Sequence, residues 1–219
     1  MILTGVILEV PIRWIVHLDL SDLVPSNPLF NLPLRLIIEA GMIAVFIGFP
    51  LLMRVSLKTV GIPHRRWTRW EWTALAIVGF GELIVVIFFS GSRWLRIWSA
   101  GLMGEGLIWA FSGFMFGFNQ ETGFRGFMMT GLLRIRGWKW AFAINTLLFL
   151  IGPLHGPGIL GWLGSNPGAA IGYAAGVIVN GLAFSWIRYR TDNVILVAIL
   201  HGIINSFMNG SGWVLLAHN

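Results

Sequence analysis

The composition of the chain sets its class before any motif is considered. Of its 219 residues, 56% are hydrophobic and 11% are charged, and the formal net charge is +6. An ordinary soluble domain carries about a quarter charged residues, so this chain has unusually few. Its mean hydropathy of +0.78 is also that of an apolar chain. These values exclude a water-soluble globule, a disordered chain and a nucleic-acid-binding domain. The absence of cysteine excludes disulfides, a thiolate nucleophile and Cys-ligated metals.

Apolar segments predict a single membrane domain over residues 1–219 with about six spans. The predicted spans cover roughly 34–53, 72–90, 101–133, 138–154, 168–187 and 194–208. Residues 1–30 form a separate N-terminal segment, which we interpret as an interfacial or re-entrant helix rather than a seventh span. We therefore expect an all-α, polytopic transmembrane helix bundle. The Gly- and Pro-rich stretch 155–167 is predicted to be a loop.

The distribution of basic residues predicts the orientation of the bundle. The loops after the first, third and fifth spans hold ten Lys or Arg, whereas those after the second and fourth hold two, Arg93 and Arg96. The positive-inside rule places the basic loops in the cytoplasm, next to the lipid bilayer. The pattern thus predicts a multi-pass integral membrane protein.

Several polar residues interrupt the predicted spans, where a charge costs roughly 2.5–3.5 kcal/mol on insertion scales. Glu121 and Arg125 are four residues apart in the third span, so they share a helix face and can pair. His201 and Asn205 have the same spacing in the sixth span, and His155 ends the fourth. Each of these features alone is also compatible with a purely structural role in helix packing.

Taken together, these residues indicate hydrolytic chemistry. The helix rise places Glu121, His155 and His201 at comparable depths inside the apolar slab. A carboxylate, two imidazoles and an amide can activate a water and stabilise the anion formed when it attacks an amide carbonyl. A small transporter with a Glu and His proton relay is a less favoured alternative. Glu82, which we predict to face the bundle interior, favours the transporter alternative.

Three short motifs resemble those of one family of membrane proteases. They read Gln120-Glu121-Thr122-Gly123-Phe124-Arg125, then Ile151-Gly152-Pro153-Leu154-His155, then His201-Gly202-Ile203-Ile204-Asn205. They resemble the Glu-Glu-x-x-x-Arg, Phe-x-x-x-His and His-x-x-x-Asn motifs of the CPBP family (CAAX protease and bacteriocin-processing enzymes, or Abi family). The type II CAAX prenyl endopeptidases belong to this family. The resemblance covers about 118–207, which would be the catalytic core.

The resemblance implies roles for individual residues. The first Glu and the His of the second motif activate the attacking water, positions that Gln120 and His155 occupy here. The resemblance assigns the oxyanion site to His201 and Asn205, and a supporting role to the remaining Glu and Arg. Gln120 departs from the family because an amide cannot act as a general base near neutral pH. Three interpretations remain: Glu121 has become the base, the chain is a pseudo-protease or binding scaffold, or an active enzyme was deliberately inactivated.

The resemblance also implies the partners and the location of the protein. The substrate would be a membrane-associated peptide or a prenylated protein, and the location a prokaryotic plasma membrane. His155, His201 and Glu121 could ligate Zn²⁺ through nitrogen and oxygen donors. We expect no obligatory cofactor, with zinc as the alternative.

Overall fold

The structure is a computed structural model that describes residues 28–63, 65–152 and 155–217. Its elements are α1 (Pro28–Leu52), a 3-10 helix (Leu57–Val60), α2 (Arg69–Ser99), α3 (Met103–Glu121), a π-helical segment (Thr122–Met128), α4 (Met129–Ile151), α5 (Gly156–Ser165), α6 (Pro167–Thr191) and α7 (Val194–Ala217). The described residues contain no strand, so the predicted all-α bundle is confirmed. Most of the predicted N-terminal segment, residues 1–27, lies outside the described part.

Two of the described helices, α2 and α6, are long and apolar enough to cross a membrane by length and composition. A third span results if the bent run of Met103–Ile151 and Gly156–Ser165 is counted as one. The apolar stretches Leu36–Leu52 and Val194–Met208 are shorter. The helices therefore have the composition of a membrane bundle, and the six-span layout stays a prediction.

The basic segments converge at one end of the bundle, as the loop charges predicted. Arg65 donates to the Thr191 carbonyl at the end of α6, at 3.0 Å. The same guanidinium pairs with Glu71, and Thr68 and Glu71 form a capping box that starts α2. Asn193, just before α7, donates to Glu71 at 2.7 Å. These bonds fix the starts of α2 and α7 side by side.

The predicted basic turn between the third and fourth spans is present as a sharp bend inside α4. Gly137 has φ 76° and ψ 174°, which breaks the helical path between Arg136 and Trp138. This left-handed φ is open to glycine without the steric cost that other residues incur. The chain thereby reverses within one residue.

Two sequence predictions about loops are wrong. The stretch 155–167 contains the helix α5, because Pro157 lies in its first turn, where a missing N–H costs nothing, and apolar residues follow. Arg93 and Arg96 lie in the last turns of α2 rather than in a loop, because that helix continues to Ser99.

Candidate active site

Two glycines bring α3 and α7 into backbone contact beside the motif residues. A Cβ added at Gly117 would lie 2.8 Å from the His201 carbonyl oxygen, and one added at Gly113 would lie 2.5 Å from that of Asn205. Real Cβ atoms do not approach backbone so closely, so only glycine fits at these positions. The close approach sets the first motif, at the end of α3, against the third motif on α7.

The centre of the site is a buried carboxylate with two basic partners. Glu121 Oε1 accepts a hydrogen bond from Arg125 Nη1 at 2.8 Å and one from His201 Nδ1 at 2.6 Å. Glu121 and Arg125 are fully buried, and His201 is 7% exposed. Arg125 Nη2 also donates to the Gly181 carbonyl of α6, at 3.3 Å. The predicted i, i+4 pair is therefore present, and it ties α3 and the π-helical segment to α6 and α7.

The ring of Phe149 on α4 contacts three site residues that form no hydrogen bonds with one another. Its ring lies 4.3 Å from the Arg125 guanidinium carbon. Its centroid is 4.5 Å from that of His155 and 5.9 Å from that of His201. The two imidazoles therefore both contact one aromatic side chain. Ile151, the residue aligned with the family's aromatic position, is instead 60% exposed.

His155 occupies the N-cap position of α5, but its ring bonds elsewhere. Its Nδ1 lies 2.6 Å from the hydroxyl oxygen of Tyr173 on α6. Its Nε2 is buried and has no hydrogen-bond partner among the described residues. His155 therefore has one nitrogen fixed by Tyr173 and one available to a ligand. It forms no direct hydrogen bond to Glu121 or Gln120.

Gln120 and Asn205 take no part in the hydrogen bonds that link Glu121, Arg125 and His201. Gln120 is 4% exposed, and neither its amide oxygen nor its amide nitrogen has a partner in the described part of the chain. Asn205 is half-buried, one turn along α7 from His201. Buried amides without partners are costly, at about 1–3 kcal/mol in protein mutational data. The amide of Gln120 is therefore available to hydrogen-bond a group other than these side chains.

A π-helical segment follows Glu121, over Thr122–Met128, and it was not predicted from sequence. The wider turn changes the backbone pairing, and the Phe124 carbonyl accepts a hydrogen bond from Asn145 Nδ2 of α4 at 2.6 Å. Such bulges are frequent at functional sites. Here the segment carries Arg125 and attaches it to α4.

Glu82 of α2 lies inside the bundle, as predicted. It is 9% exposed, and both of its carboxyl oxygens are buried without a hydrogen-bond partner among the described residues. The sequence indicated that this residue was unusual, but it is not part of any of the three motifs.

Zinc bound by His155, His201 and Glu121 is the sequence-based alternative to a site without a cofactor. Among the described residues, no group of three or more His, Asp or Glu is placed to hold a metal ion. Glu121 Oε1 is already bonded to Arg125 and His201, and His155 Nδ1 is bonded to Tyr173.

Sequence reasoning missed two residues of the site, Phe149 and Tyr173. Both belong to long apolar helices in which aromatic residues are common, so neither stands out by residue type. Their contacts with His155 depend on how α4, α5 and α6 pack together.

Comparison with known proteins identifies one related family. Residues 103–207 match the family model of type II CAAX prenyl endopeptidases, Rce1-like, and the matched segment contains all three motifs. No curated protein and no solved structure matches the chain. At the level of the family, the match implies a membrane protease acting on prenylated or membrane-associated proteins. The segment from 103 to 207 thus belongs to the Rce1-like family of type II CAAX prenyl endopeptidases.

Proposed function

We propose that the chain is an intramembrane endopeptidase that hydrolyses a peptide bond of a lipidated or otherwise membrane-associated protein. The observation that carries this proposal is the 2.6 Å contact between Glu121 and His201. This contact joins the first and third motifs in a buried polar site between apolar helices. A water held there would be separated from bulk solvent, and electrostatic interactions with it would be strong.

The reaction begins when a carboxylate takes a proton from the bound water while Nε2 of His155 orients it. The water oxygen attacks the scissile carbonyl carbon, and the carbonyl oxygen becomes an oxyanion. His201 and the Asn205 amide stabilise that anion as hydrogen-bond donors. The C–N bond then breaks, and the proton taken from the water passes to the leaving amine. The proposed sequence has no metal step.

Within the motifs, the available carboxylate is Glu121. Its Oε2 is buried without a hydrogen-bond partner in the described residues, while Oε1 is bonded to Arg125 and His201. If the motifs alone supply the base, Oε2 is the atom that takes the proton. Gln120 cannot take it because its amide lacks the necessary basicity.

The alternative is a non-catalytic protein that binds the same class of substrate. Gln120 favours it, since an unpartnered buried amide beside the site can hydrogen-bond a peptide backbone without cleaving it.

The test is direct cleavage by the purified full chain in lipid nanodiscs. It is incubated with a farnesylated CAAX peptide and a library of membrane-anchored peptides, and new termini are identified by mass spectrometry. The variant His201→Gln serves as the matched control. We expect abundant new termini with the wild-type chain and only trace amounts with the variant. Binding of the peptides without new termini from either protein would support the binding scaffold instead.

A further inference from the structure

We infer that Glu82 supplies the second carboxylate of the site and accepts the proton of the attacking water, the position left without a base by Gln120. This inference rests on the proposed endopeptidase function. It concerns a residue on α2, outside the segment that matches the family and outside the three motifs.

The depth of Glu82 in the bundle follows from a contact between α2 and α7 about one turn before it. A Cβ added at Gly79 would lie 3.7 Å from Leu200 Cδ2 on α7. Farther along α2, Trp94 Nε1 donates to the Phe207 carbonyl of α7 at 3.0 Å. The two helices therefore run in the same direction. Glu82 follows Gly79 by three residues, about 4.5 Å along the axis. Its depth in the bundle is therefore within about one helical turn of that of His201.

The environment of Glu82 leaves its carboxyl available. Both oxygens are buried and neither has a hydrogen-bond partner among the described residues. It also lies within electrostatic reach of Glu121. Burying a carboxyl without partners is expensive, and intramembrane carboxyls kept at that cost are usually functional. A water or a substrate amide is the kind of partner that would complete its hydrogen bonding.

The geometry of Glu121 fits a supporting role better than that of the base. One of its oxygens is shared by Arg125 and His201, and these bonds hold the side chain in one orientation. Such a group orients His201. The site therefore contains one anchored carboxylate, Glu121, and one free carboxylate, Glu82.

The chemical step is balanced with Glu82 in this role. The Glu82 carboxylate accepts a proton as the water oxygen forms its bond to the carbonyl carbon. When the C–N bond breaks, the resulting carboxylic acid returns that proton to the amine nitrogen. The products are a carboxylic acid and an amine, and Glu82 is a carboxylate again.

The experiment measures kcat and KM for a farnesylated CAAX peptide in nanodiscs, with four variants. They are Glu82→Gln, Gln120→Glu, the double variant of these two, and Glu105→Gln as a control. Glu105 lies in the first turn of α3, sixteen residues before Glu121 and about 24 Å from it along the helix. Intrinsic fluorescence and thermal unfolding report whether each variant is folded.

We expect Glu82→Gln to lower kcat by about 10²–10⁴, the range for a lost general base, with KM within about twofold of the wild type. Gln120→Glu added to Glu82→Gln should restore at least a tenth of the wild-type kcat. Glu105→Gln should be active.

Three outcomes would overturn the inference. If Glu82→Gln cleaves as fast as the wild type, Glu82 is not the base, although the endopeptidase function stands. If Glu82→Gln is inactive or unfolded and Gln120→Glu restores nothing, Glu82 has a structural role. If the wild-type chain cleaves nothing, the proposed function fails and the role of Glu82 fails with it.

Discussion

Gly117 of α3 and His201 of α7 lie in direct backbone contact, and this contact is what holds Glu121 against the His201 ring. The space beside Gly117 is closed by the His201 carbonyl oxygen and by the backbone nitrogen of Gly202, both within 2.9 Å of an added Cβ. The position of the candidate site therefore depends on a glycine at position 117, because any side chain there would push the two helices apart.

Gly117→Ala should separate α3 from α7 and weaken the Glu121–His201 hydrogen bond. Overpacking of a close contact costs roughly 1–3 kcal/mol, and we expect kcat to fall at least tenfold. Thermal unfolding and peptide cleavage in nanodiscs measure the two effects. Gly104→Ala is the control, because nothing lies within 4 Å of its added Cβ. Equal behaviour of the two variants would show that the close approach is unimportant.

Glu121→Gln should slow cleavage by at least about 10²-fold and also destabilise the protein. Arg125 is fully buried and would lose its ion-pair partner. Removing one member of a buried pair costs roughly 3–5 kcal/mol. Replacing both residues, with Glu121→Gln and Arg125→Met, should restore part of the thermal stability and none of the activity. Recovery of cleavage in the double variant would mean that Glu121 is dispensable.

Tyr173→Phe should slow cleavage by about two- to tenfold without a large change in KM. The variant removes the hydroxyl that fixes His155 Nδ1 at 2.6 Å, and a typical net hydrogen bond is worth about 0.5–1.5 kcal/mol. Tyr189→Phe is the matched control, since Tyr189 packs on Trp138 and Phe142, away from His155. An unchanged kcat in Tyr173→Phe would argue against any role of Tyr173 in positioning the imidazole.

Treatment with a zinc chelator should leave cleavage unchanged. Glu121 and His201 are bonded to each other, and no group of three or more ligating side chains is placed to hold a metal among the described residues. The measurement is the initial cleavage rate before and after dialysis against a chelator, with added Zn²⁺ as the reversal. Loss of activity that Zn²⁺ restores would contradict this expectation.

The helical class and the main polar pair could be predicted because they depend on local rules. Low charge and long apolar runs specify membrane helices, and the i, i+4 spacing placed Arg125 beside Glu121. The basic loops likewise predicted which helix ends would share one side, as the bond from Arg65 to Thr191 shows.

The other features of the site depend on contacts between helices, which the spacing of residues in the sequence does not determine. The π-helical segment is held by bonds to other helices, from Arg125 to the Gly181 carbonyl and from Asn145 to the Phe124 carbonyl. Phe149, rather than Ile151, contacts the imidazoles because it faces His155 and His201 across the helices. Glu82 was recognised as unusual, but nothing in the sequence set it at the depth of His201.

We expect Glu121 and His201 to act as one unit in the hydrolysis. A double-mutant cycle on kcat/KM tests it most directly, with Glu121→Gln, His201→Gln and the two combined. Residues that act as a unit are strongly non-additive, so the double variant should be no slower than the slower single variant. Losses that multiply across the two substitutions would contradict the claim.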